Sequence, residues 1–96
     1  MKYNLPDRVL RELYFFAQKY SIEKLVLFGS RARGTNTERS DIDIAVSGVD
    51  NFESLVEKVE ELPTLFSVDL VNMDTCRNQL LLEDIRKYGR EIYKKI

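Results

Sequence analysis

GSRARGTNTERSDID, residues 29–43, lies between two short apolar runs: Lys24-Leu25-Val26-Leu27-Phe28 ahead of it and Ile42 to Val46 overlapping its end. Short apolar runs bounded by glycine and polar residues read as buried strands. Residues 30–40 are polar and carry three arginines, so they read as a turn and loop between the strands. Within Asp41-Ile42-Asp43 the two acids stand two residues apart. On a strand such residues share a face, roughly 6 to 7 Å apart along the chain. Both carboxylates then look one way, while Ile42 and Ile44 look the other way into a core. Two bare carboxylates on one face repel each other, and a hard divalent cation relieves the repulsion. Mg²⁺ characteristically takes one or two protein carboxylates together with phosphate oxygens. A D-x-D pair alone is common and mostly solvated, so its setting has to carry the weight.

Gly29-Ser30 supplies that setting, at the point where an apolar strand ends and a short helical turn can begin. Glycine lets a ligand approach the backbone closely. The following N–H groups and the Ser30 hydroxyl can receive phosphate oxygens at a helix start. An ordinary strand-ending turn has the same local appearance. The stretch contains neither G-x-x-x-x-G-K-[ST] nor G-x-G-x-x-G, so it is not a Walker loop or a dinucleotide fingerprint. What distinguishes it is spacing: Ser30, ten residues, then Asp41-x-Asp43, a phosphate cradle and an acidic pair at the ends of neighbouring strands.

Outward from this stretch, Asn4-Leu5-Pro6-Asp7 has the form of a helix start, with Asn4 capping and Pro6 in the first turn. Val9, Leu10, Leu13, Phe16, Ala17 and Tyr20 follow at helical spacing. Asp50-Asn51-Phe52-Glu53 fits a capping box, and Phe52, Leu55, Val56, Val59 and Leu62 make an apolar helical face that Pro63 closes. Phe66 to Val71 reads as a third strand with one acid, Asp69, inside it. Leu80, Leu81, Ile85 and Tyr88 mark a last helix that Gly89 can end in a left-handed conformation, and Glu91-Ile92-Tyr93 adds a short edge strand. The pattern predicts an α/β (α+β) chain: a small mixed sheet of about four strands with helices packed against it, in one domain over residues 1–96. Sheet order does not follow from pattern.

Composition excludes several chemistries. The chain of 96 residues has no histidine and one cysteine, Cys76, so His-based triads, His-ligated zinc and disulfide frameworks are ruled out. Catalysis must therefore use carboxylates, lysines, hydroxyls or an oxygen-bound metal. A net charge of −1 gives no reason to expect nucleic acid or an anionic membrane as partner. With no apolar run long enough for a membrane span and no signal-peptide core, a cytoplasmic protein is expected.

The Gly-Ser, spacer, Asp-x-Asp arrangement resembles the signature of the DNA polymerase β-like nucleotidyltransferase superfamily. The fuller string GSRARG…SDIDIAV resembles the minimal nucleotidyltransferase (MNT) group within it, from about Lys24 to Val71. The resemblance implies metal ligation by Asp41 and Asp43 and triphosphate binding at Gly29-Ser30. It also implies a third metal-binding carboxylate on a later strand, a place that Asp69 matches; a strand-end Asp capping backbone groups is the plainer alternative there. Arg31, Arg33 and Arg39 lie between cradle and acids, where one or more can neutralise triphosphate charge or simply be solvated or paired with Glu38. Two Mg²⁺ ions and ATP would be the cofactor and substrate. In the MNT group the resemblance implies an antitoxin that transfers AMP to a tyrosine hydroxyl of a helical HEPN-domain toxin. A subunit that masks its partner sterically, or an enzyme acting on a small molecule beside a helical subunit, fits the same residues. Base preference and oligomeric state stay open.

Overall fold

A computed structural model describes residues 3–96. The described elements run α1 (Asp7–Lys19), β1 (Lys24–Phe28), α2 (Ser30–Arg33), β2 (Ile42–Ser47), α3 (Phe52–Glu60), β3 (Val68–Asn72), α4 (Gln79–Tyr88) and β4 (Arg90–Lys94). The four strands form one mixed sheet in the order β3-β2-β1-β4, with β1 antiparallel to β2 and β4, and β2 parallel to β3. The parallel pair needs a crossover, and α3 provides it. This is the expected small mixed sheet with packed helices.

Strand alternation divides the core. On one face, Leu25, Leu27, Ile42, Ile44 and Val46 meet Leu10, Leu13, Phe16 and Ala17 of α1 and Leu55 and Val59 of α3. Ile42 and Ile44 are fully buried there, each contributing about 1.5–3 kcal/mol relative to exposure. On the other face, Val26, Phe28 and Ala45 pack against Ile85 of α4. The six positions from Val9 to Tyr20 that were read as one helical face are all buried.

Three local expectations are corrected. Asn4 does not cap α1; Pro6 is the N-cap residue, so Asn4 stands two positions too early, and its Nδ2 donates instead to Arg31 O and Asn36 Oδ1. α3 is capped by Asn51 rather than Asp50: Asn51 Oδ1 accepts from Ser54 N–H at 3.1 Å, while Asp50 N–H donates to Tyr20 O. β3 begins at Val68 rather than at Phe66, whose ring centroid lies 4.8 Å from the Arg31 guanidinium. The last helix is present as α4; within it Leu80 is 79% exposed and Tyr88 is 46% exposed, leaving Ile85 as the buried anchor.

Gly89 differs from expectation too, with an extended backbone (φ −64°, ψ 150°) rather than a left-handed one. Its role is close approach: a Cβ there would overlap Ile85 O and stand 2.6 Å from Val26 Cγ1. Gly89→Ala is therefore expected to lower stability by about 1–3 kcal/mol through overpacking, measured by denaturant unfolding. Unchanged stability would mean that α4 does not seat tightly on β1.

Candidate active site

Asp43 sits in β2 with a neighbour on each side, registered with Phe28 of β1 and Asp69 of β3. Registered residues of adjacent strands project to the same face, so Asp43 and Asp69 are side by side. That face is the one α4 covers over Val26 and Ala45, and the covering leaves Asp41 and Asp69 exposed and Asp43 half-buried. Asp41 immediately precedes β2, two residues before Asp43. Asp69 lies within a strand as expected, and because β3 is an edge strand its side chain is in solvent.

The Asp43 carboxyl is pushed above its ordinary value of 3.8, first by partial burial and then by the charges of Asp69 and Asp41; Arg33 pulls it down. Asp69 and Asp41 thus act electrostatically on Asp43. Among the described residues no three acidic or cysteine side chains close into a ready-made metal cage. Mg²⁺ does not require one, because it keeps waters and takes phosphate oxygens beside one or two carboxylates. Mutual repulsion around a half-buried Asp43 is the condition that a divalent cation relieves, so the donor set fits Mg²⁺.

Gly29 joins the acids to the turn. Its backbone is left-handed (φ 74°, ψ −157°), and a Cβ on it would collide with Asp43 Oδ2 and stand 3.1 Å from Cγ. Only a bare Cα accommodates both the torsion and the carboxylate. Gly29 O then accepts from Ala32 and Arg33 N–H at 3.2 Å each, starting α2. The first N–H groups of a helix have no partner inside it, so those of Ser30 and Arg31 take no part in the bonding of α2. Gly34 ends α2 in a left-handed conformation.

The arginines separate into different roles. Arg31 is 3% exposed, and its guanidinium donates to the carbonyls of Asn4, Glu38 and Ser40. A fork already spent on three carbonyls does not face a triphosphate, so Arg31 is not brought to the site as its place in the motif implied. Arg33 is: it lowers the Asp43 pKa, and its Nη1 lies 3.0 Å from Asp84 Oδ1 of α4. Arg39 is exposed in the loop. Sequence reasoning missed Asp84, 51 residues from Arg33, for which no local signal exists. It also missed Asn4, whose resemblance to a cap hid its tie to Arg31.

Residues 12–96 match the family described as Polymerase beta, Nucleotidyltransferase. The chain belongs to that family. A candidate protein adenylyltransferase of Methanocaldococcus jannaschii, MJ1379, is 36% identical over 75 residues, covering 72% of this chain and 75% of the relative. A second from the same organism, MJ0128, is 29% identical over 87 residues, covering 86% of this chain and 89% of the relative. Among solved structures, a toxin–antitoxin with AMP-PNP aligns with a TM-score of 0.65 at 23% identity, covering 90% of this chain and 73% of that one. A double Asp-to-Glu variant of the MntA-HpeT toxin–antitoxin aligns at 0.64 and 21%, with the same coverage. At these identities the likeness is one of fold. Helices, mixed sheet and family match agree on a nucleotidyltransferase of the polymerase β type. No described helix is long and apolar enough to cross a membrane.

The raised Asp43 pKa makes the stability of this nucleotidyltransferase pH-dependent when metal is withheld. For an acid raised in the folded state, the favourable contribution is fully present below the unfolded value, near 3.8, and lost as pH rises through the folded value. Asp43→Asn is therefore expected to melt at a higher temperature than wild type at neutral pH in chelator, the gain vanishing below pH 3.8. Equal melting temperatures at neutral pH would contradict the electrostatic reading.

Proposed function

We propose that this nucleotidyltransferase transfers AMP from ATP to a tyrosine hydroxyl of a helical HEPN-type toxin and thereby acts as its antitoxin. The observation that carries the reading is the Asp43 carboxylate lying against the Cα of Gly29, with Asp69 beside it in register. Cradle and acids meet at one spot, as a triphosphate with its metal requires. Two sequence relatives are candidate protein adenylyltransferases, and a fold neighbour is a toxin–antitoxin with AMP-PNP; both support an adenosine nucleotide as donor and a protein as acceptor.

Each residue then has a task. The N–H groups and hydroxyl at Gly29-Ser30 hold phosphate oxygens, and Arg33, half-exposed and bridged to Asp84, can swing its guanidinium to them. Asp41 and Asp43 would hold Mg²⁺, with Asp69 as the third carboxylate. When bound, Mg²⁺ supplies charge neutralisation at the phosphates and acidifies a hydroxyl brought to it. The acceptor oxygen attacks the α-phosphorus, the bond to the bridging α–β oxygen breaks, and pyrophosphate leaves. Asp69, exposed on the edge strand, is open to an incoming macromolecule and takes the hydroxyl proton. No histidine or cysteine nucleophile is needed. A cytoplasmic location suits ATP as the donor.

The test is mass spectrometry after incubation with ATP, Mg²⁺ and a purified helical HEPN-type toxin. One AMP is expected on a partner tyrosine, and Asp43→Ala is expected to slow its appearance at least about 100-fold. Absence of any adduct with all components folded would overturn transfer. Neutralisation that survives Asp43→Ala would point instead to steric masking.

A further inference from the structure

A guanidinium removed from water without a counter-charge is expensive to keep, and Arg31 is such a group. It is 3% exposed, and among the described residues its partners are backbone carbonyls and an aromatic ring rather than a carboxylate. The placement of those bonds shows what the buried charge holds. Nε and Nη2 both reach Ser40 O, at 3.2 and 3.1 Å, and Nη2 also reaches Glu38 O at 3.3 Å. Nη1 reaches Asn4 O at 2.9 Å. Ser40 is the residue directly before Asp41.

The main chain of Arg31 belongs to the other half of the site. It follows Ser30 in α2, and its carbonyl accepts from Asn4 Nδ2 at 3.2 Å. One residue therefore has its backbone in the phosphate turn and its side chain on the carbonyl that leads into the acidic pair. Phe66 covers the guanidinium at 4.8 Å, two residues before β3 brings in Asp69.

We propose that Arg31 is a positioning residue that fixes the separation between the triphosphate turn and the Asp41–Asp43 pair, so that metal and nucleotide reinforce each other's binding. The inference rests on the metal-and-nucleotide reading of the site given above. Without the fork, the loop after Gly34 has no other buried side chain holding Ser40, since residues 35–39 are exposed or half-buried. Lysine is a poor substitute, because one ammonium cannot span carbonyls arranged for a planar guanidinium.

The test is the dissociation constant of α,β-methylene ATP, which cannot transfer AMP, measured by calorimetry with and without Mn²⁺. Wild type, Arg31→Lys and Asn4→Ala are compared, each with a thermal melt. In wild type, Mn²⁺ is expected to tighten nucleotide binding; in Arg31→Lys that enhancement is expected to shrink about tenfold, the usual consequence of losing a group that orients metal ligands. Metal-free nucleotide affinity is expected to stay near wild type. Asn4→Ala, which keeps the guanidinium, is expected to lose part of the enhancement. Folded variants that melt earlier but keep the full enhancement would overturn the proposal and leave Arg31 a structural pin. If Arg31→Lys does not fold, Asn4→Ala decides, and an unchanged enhancement there overturns it. A wild-type chain indifferent to Mn²⁺ overturns the metal reading itself, before any substitution enters.

Discussion

The Asp43 carboxylate rests against a backbone carbon that has no side chain, and most of the site follows from that contact. Gly29 must be glycine twice over: for its left-handed torsion and for the space the carboxylate occupies. Because of it, the end of β1 can turn into α2 directly beside the acid of β2. In the absence of a cation this is an unfavourable juxtaposition, since Asp41, Asp69 and partial burial all work against ionised Asp43. On the proposed reading, a bound metal would supply what such a site lacks alone, and that gain would be available for binding nucleotide.

The sheet makes the crowding possible. Its α1/α3 face carries the large core, including Ile42 and Ile44, and so fixes β2 firmly in register. A one-residue slip would drive Asp43 into that core, which the burial of its neighbours forbids. The parallel crossover through α3 then sets Asp69 beside Asp43. α4 covers only part of the opposite face, anchored by Ile85 and by the bare Gly89, and reaches the site through the Asp84–Arg33 bridge. Stability is concentrated on one face and chemistry on the open end of the other.

Much of this was legible in residue order. The apolar run Lys24 to Phe28 gave β1 its bounds, and the parity of Asp41, Ile42, Asp43 and Ile44 assigned acids and core to opposite faces because strand alternation is local and strict. The Gly-Ser to Asp-x-Asp spacing led to the family that residues 12–96 match. Features that depend on distant partners were hidden. Arg31 reads as a phosphate ligand until Asn4, Ser40 and Phe66 are seen around it. Asn4 reads as a cap until Arg31 is seen to claim it. Leu80 and Tyr88 keep helical spacing yet face solvent, because where α4 docks is decided by Val26 and Gly89 rather than by its own periodicity.

The central claim is that the Gly29-Ser30 turn and the three aspartates form one metal-and-triphosphate site. Anomalous diffraction from crystals grown with Mn²⁺ and α,β-methylene ATP tests it most directly. The account predicts a manganese peak about 2.0–2.3 Å from carboxylate oxygens of Asp41 and Asp43, with the phosphates on the Gly29-Ser30 turn. Manganese bound elsewhere, or phosphates seated on another surface, would contradict it.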